Sequence, residues 1–102
     1  MAIVEVSITP LGTDTTGVSQ YVAGCLKIVR KSGIPHQLTP MGTILEGELD
    51  QIFGLIREMQ EATFAAGAIR VSTLIKIDDR RDKQHTMAGK VRAVERKLEG
   101  EQ

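Results

Sequence analysis

Over the first residues of the chain, apolar and polar side chains alternate with a period of two. Ala2, Val4, Val6 and Ile8 fall on one face, and Ile3, Glu5, Ser7 and Thr9 on the other. That spacing predicts a half-buried strand over 2–9, stopped by Pro10 and Gly12. From Ser19 the period becomes helical. Val22, Cys25, Leu26 and Val29 form a stripe, with Tyr21 and Ile28 at its margins. Ser19 is the expected N-cap, "KSG" at 31–33 reads as a basic last turn closed by glycine, and Pro35 forbids continuation.

"HQLTP" (36–40) and "TILEG" (43–47) read as a hairpin joined by Met41 and Gly42. Leu49, Ile52, Phe53, Ile56 and Met59 make the next helical stripe, with Gly67 as its C-cap; Gly54 inside it suggests a close neighbour. "AIRVSTLIKID" (68–78) alternates again, Val71, Thr73, Ile75 and Ile77 against Arg70, Ser72, Leu74, Lys76 and Asp78. Beyond a charged turn, Thr86 is a candidate cap for a third helix whose stripe is Met87, Val91, Val94 and Leu98.

The order β-α-β-β-α-β plus a C-terminal helix predicts one α+β domain over 1–102. Its expected form is a ferredoxin-like sandwich, one antiparallel sheet with two helices on one face. The sheet's free face is expected to carry Ile3, Leu45 and Leu74 among Glu5, Ser7, Thr9, Ser72 and Lys76. A mixed face that the motif's own helices leave uncovered points to contact between copies of the chain.

Composition narrows the partners. Thirteen basic residues balance thirteen acidic ones in 102 residues, and the only aromatics are one tyrosine and two phenylalanines. A neutral chain gains little from counterion release and lacks stacking platforms, so neither nucleic acid nor an anionic membrane is expected. The apolar runs are too short to span a bilayer, and the N-terminus does not read as a signal peptide. A cytoplasmic location is the expectation. The single cysteine, Cys25, and two distant histidines, His36 and His85, do not supply a zinc site, and no cofactor is called for.

The catalytic candidates are thin. "DDRRD" (78–82) imitates half of an Asp-rich magnesium-pyrophosphate motif, but Arg80 and Arg81 would compete with a metal for its carboxylates. It reads as a self-compensating solvated turn, with Arg80, Arg81 or Lys83 available to a neighbouring copy or a ligand phosphate. Cys25 lies on an apolar stripe and reads as core; His36 and His85 read as solvated or capping. Without a nucleophile elbow or a phosphate loop, the chain reads as a binder and not an enzyme. What remains is a repeated tetrapeptide, Pro-apolar-Gly-Thr, at 10–13 and 40–43. Turn chemistry alone would explain both glycines. Yet Thr13, Thr16, Ser19 and Thr43 also offer hydrogen bonds to a flat heterocycle, with Glu46 and Glu48 nearby as negative charge.

"VEVSITPLGT", "YVAGCLKIVRKSG", "LTPMGTILEGE", "RVSTLIKIDDRRDK" and "KVRAVERKL" together resemble the small thiamine-binding protein family, over residues 3–98. The resemblance implies a ferredoxin-like domain without catalytic activity and a homo-oligomer, a tetramer, whose sheets meet between subunits. It also implies a site for thiamine or its hydroxymethylpyrimidine portion. Carried onto the matching segments, that site comprises Leu11, Gly12 and Thr13 of the first turn, Ser19, and Met41, Gly42, Thr43 and Glu46 around the second. The alternative is a structural or regulatory oligomer with no small-molecule ligand.

Overall fold

Burial of the period-two faces organises the chain. A computed structural model describes residues 1–14, 17–84 and 86–100. The elements are β1 (Ala2–Pro10), α1 (Ser19–Ser32), β2 (His36–Thr39), β3 (Gly42–Gly47), α2 (Leu49–Ala65), β4 (Val71–Asp79) and α3 (Met87–Gly100). The strands form one sheet in the order β2-β3-β1-β4, each neighbour antiparallel. This is the expected α+β class and element order.

Ala2, Val4 and Val6 of the central strand are buried with Leu45 of β3 against Cys25 and Val29 of α1 and Ile52, Ile56 and Met59 of α2. Both helices thus cover one face, as their stripes require. α1 ends as expected at Gly33, whose φ of 77° is the left-handed conformation that favours glycine. Thr86 acts as the cap of α3: its hydroxyl accepts the Gly89 N–H at 2.9 Å and its carbonyl the Lys90 N–H at 2.9 Å. No helix among the described residues is long and apolar enough to cross a membrane.

Several local expectations give way to packing. Ser19 is the first residue of α1, and Val18 takes the N-cap position. In α2, Leu55 is buried where Phe53 was expected, and Phe53 is exposed. Gly54 faces open space, since a methyl group there would meet nothing within 4 Å. Ala66 holds the C-cap of α2, and Gly67 follows it with a φ of 114°.

The hairpin differs more consequentially. Thr39 pairs with Gly42, so the turn is Pro40-Met41, one residue earlier than expected. Leu45 pairs with Val4 and is wholly buried under the helices, not on the free face; Ile44 is the apolar residue of β3 that faces the other way. Residues of one parity on a strand share a face, so Leu45 goes with Thr43 and Ile44 with Glu46. Gly42 serves the sheet, not the turn: a Cβ there would lie 2.9 Å from the carbonyl oxygen of Val6.

These two glycines generate opposite expectations. Gly42→Ala forces two strands apart and should cost about 1–3 kcal/mol. Gly54→Ala, exposed in a helix interior, should gain about 0.5–1 kcal/mol. Urea denaturation of the two variants checks both signs.

Candidate functional site

The two sides of β1 are unequal. Toward β3 the pairing runs from Ala2 only to Val6; toward β4 it continues to Pro10. Residues Ser7–Pro10 therefore overhang the end of β3. The Leu11 N–H donates to the Arg70 carbonyl on the β4 side at 2.8 Å. Because backbone direction alternates along an antiparallel ladder, odd-numbered residues of β1 address β4 and even-numbered ones address β3. Beyond Val6 the β3 side is vacated, and the N–H and C=O of Ile8 face it without a strand partner.

Beside this overhang sits the β2–β3 turn, held by one side chain. The Thr39 hydroxyl accepts the N–H of Met41 at 3.2 Å and of Gly42 at 3.1 Å, and donates to the Gly42 carbonyl at 2.8 Å. Opposite lies the start of α1, where the Val18 carbonyl accepts the N–H groups of Tyr21 and Val22. Between them is a hollow of about 860 Å³. Val22, Leu26, Leu38 and Met59 supply apolar lining, and no charged side chain lines it among the described residues.

Ser19, Met41, Gly42 and Thr43 line this hollow. Thr43 is the most telling of them. It shares the helix-facing side of β3 with Leu45, is only 7% exposed, and its hydroxyl has no hydrogen-bond partner among the described residues. A buried hydroxyl left unpaired costs about 1–3 kcal/mol. Met41 stands at the rim, 81% exposed.

The other expected site residues lie elsewhere. Leu11, Gly12 and Thr13 are not among the residues lining the hollow. Gly12 has a φ of 72° and makes the turn that leads the chain away from β1. Thr16 and His85 lie outside the described residues. Glu46 is on the free face of the sheet, three positions from Thr43 and hence of opposite parity. It is buried there, and one of its carboxylate oxygens accepts the Met87 N–H at 3.3 Å, anchoring the start of α3. Glu48 flanks α2 at the far end of the sheet.

The residues put aside as catalytic candidates have local roles. Cys25 is buried, with Sγ 3.5 Å from the Met59 carbonyl and 3.5 Å from the Thr63 hydroxyl. His36 Nδ1 lies 2.8 Å from the Ile34 carbonyl. In the charged turn Arg80 binds Asp82, Arg81 binds Asp79, and Lys90 reaches Asp78. The hydrogen bond from Arg80 holds the Asp82 carboxyl down to about 2, and the bond to Asp79 raises the Arg81 guanidinium further above its ordinary value. The two arginines inside the motif pair with Asp79 and Asp82, as the sequence suggests, and Lys90 of α3 pairs with Asp78. Among the described residues no cluster of acids and histidines could hold a metal.

The sequence profile of the thiamine-binding protein family matches residues 4–95. The UPF0045 protein YqgV of Bacillus subtilis is 47% identical over 103 residues, covering 97% of this chain and 99% of its own. A UPF0045 protein of Methanothermobacter thermautotrophicus is 38% identical, covering 96% of this chain and all of its own. Among solved structures, MJ1052 of Methanocaldococcus jannaschii superposes with a TM-score of 0.84 at 35% identity, over 91% of this chain and 94% of its own. A Thermotoga maritima protein assigned provisionally to thiamine biosynthesis or salvage superposes with a TM-score of 0.77, over 91% of this chain and 97% of its own. At 18% identity that last likeness is one of fold.

The unpaired hydroxyl makes a prediction about the ligand-free protein. Thr43→Val keeps the shape and removes the unsatisfied group, so it should raise stability by about 1 kcal/mol. Thermal or urea unfolding without ligand reads it, and a loss of stability would mean that the hydroxyl is already satisfied.

Proposed function

We propose that this chain, which belongs to the thiamine-binding protein family, binds thiamine or its hydroxymethylpyrimidine portion without catalysing a reaction. The observation that carries the proposal is the buried Thr43 hydroxyl, without a partner among the described residues, lining a hollow of about 860 Å³. An apolar hollow with a few convergent polar groups is the usual form of a small-molecule site. Ser19, Met41, Gly42 and Thr43 form the site in this reading, and Thr43 hydrogen-bonds the pyrimidine. The thiazolium of thiamine occupies the open mouth, where water screens its charge. Leu11, Gly12 and Thr13 set the course of the chain around the hollow. Glu46 acts through α3 and does not touch a ligand bound there.

The strand order, with both main helices on one face, supports placing the domain in the ferredoxin-like class. The partner in this reading is a second copy of the chain, and the assembly is a tetramer in the cytoplasm. Supporting it is a set of apolar side chains that the single chain leaves in water: Leu74 on the free face at 73% exposure, and Val91, Val94 and Leu98 on α3. These residues share neither the hollow nor its hydroxyls, so assembly and binding can be tested apart.

Titration calorimetry with thiamine and with 4-amino-5-hydroxymethyl-2-methylpyrimidine tests the function. Heat of binding is expected with at least one, and Thr43→Val should weaken it by about 1–3 kcal/mol. No heat and no thermal stabilisation at about 1 mM of either compound would overturn the proposal. Light scattering should give a mass near four times 11.1 kDa. Val94→Asp should lower it, since a charge buried without a partner opposes association.

A further inference from the structure

We propose that the hollow reads its pyrimidine through the backbone of Ile8. In this arrangement the Ile8 N–H donates to the ring nitrogen beside the amino-bearing carbon, and the Ile8 C=O accepts from the amino group. This rests on the pyrimidine-binding role proposed above for the same hollow.

Ile8 is singled out by the register of the sheet. It lies past the last β1–β3 pair, Val6 with Thr43, and its two backbone groups face the side that β3 has left. Pro10, the next residue of the same parity, has no N–H to offer. Ile8 therefore presents the one complete donor–acceptor pair of the overhang. Such a pair ordinarily meets the C=O and N–H of a neighbouring strand. The edge of a 4-aminopyrimidine offers the same complement in one plane, an acceptor nitrogen beside an N–H donor. Bound there, the ring continues the ladder where β3 stops, as a peptide strand does when it adds to an exposed sheet edge.

The surroundings favour a neutral ring over a charged one. Ile8 and Thr43 line the same hollow, the one through its backbone edge and the other from the helix-facing side of β3. The lining carries no charged side chain among the described residues. A phosphate brought into it would lose hydration without gaining an ion pair. The ligand class is thus a neutral 4-aminopyrimidine, and phosphorylation of a thiamine-like ligand adds no affinity.

The test is a nuclear magnetic resonance titration of the ¹⁵N-labelled full chain. The probes are 4-amino-5-hydroxymethyl-2-methylpyrimidine, its analogue with hydrogen in place of the amino group, thiamine and thiamine diphosphate. The Ile8 amide proton should move downfield with the amino compound. The analogue should bind weaker by a factor on the order of 10, because the Ile8 carbonyl stays unpaired. Thiamine diphosphate should bind no tighter than thiamine. If the amino compound and its analogue bind equally, or the Ile8 amide stays still while Thr43 and Ser19 respond, the backbone reading is wrong and pyrimidine binding stands. If no compound perturbs any residue of the hollow, pyrimidine binding fails and this proposal fails with it.

Discussion

Antiparallel strands satisfy their backbone groups in pairs, so a central strand longer on one flank than on the other leaves groups without partners. β1 is such a strand: β4 accompanies it to Pro10, while β3 leaves it at Val6. The hollow follows from that mismatch, since the gap beside Ser7–Pro10 is roofed by the start of α1 and walled by the β2–β3 turn. Gly42 allows β3 to begin where it does, its missing Cβ admitting the Val6 carbonyl. An unused ladder position and a buried hydroxyl with no partner among the described residues thus share one hollow.

The repeated Pro-x-Gly-Thr is therefore not one device used twice. At the first copy glycine provides a positive φ for a turn; at the second it provides close approach between strands. Thr13 and Thr43 differ in the same way, and only Thr43 lines the hollow. Both copies do stand at one end of the sheet, because β1 ends where its antiparallel neighbour β3 begins. The likeness in sequence marks a shared location, not a shared role.

Much of this was legible in the sequence. Each strand and helix has its own hydrophobic period, so the element order could be read, and Thr86 and Gly33 announced their caps. The hairpin was placed one residue late because Gly42 looked like turn punctuation, whereas Thr39 clasps a turn at Pro40-Met41 that needs no glycine. The parity of β3 is a separate matter, fixed by its pairing with β1. Leu45 shares a face with Thr43, and Glu46 cannot. Nearness in sequence suggested Glu46 for the site, but a strand sends consecutive side chains to opposite faces. Sequence places Ile8 on the apolar face of its strand but not its backbone at a vacated edge, because unequal pairing on the two flanks of a strand is a property of the sheet.

The free face follows a separate logic. Glu46 and Asp78, the two cross-strand neighbours of Ile3, hold Met87 and Lys90 and so seat the start of α3. The rest of that helix carries its apolar stripe into solvent. In the proposed reading the free face meets a further copy of the chain, the hollow at one end of the sheet takes the small molecule, and Glu46 belongs with the first. A crystal structure grown with 4-amino-5-hydroxymethyl-2-methylpyrimidine tests this division most directly. The account predicts a ring lying between Ile8 and Thr43 in the plane of the sheet. A ring seated against Glu46 on the opposite face would contradict it.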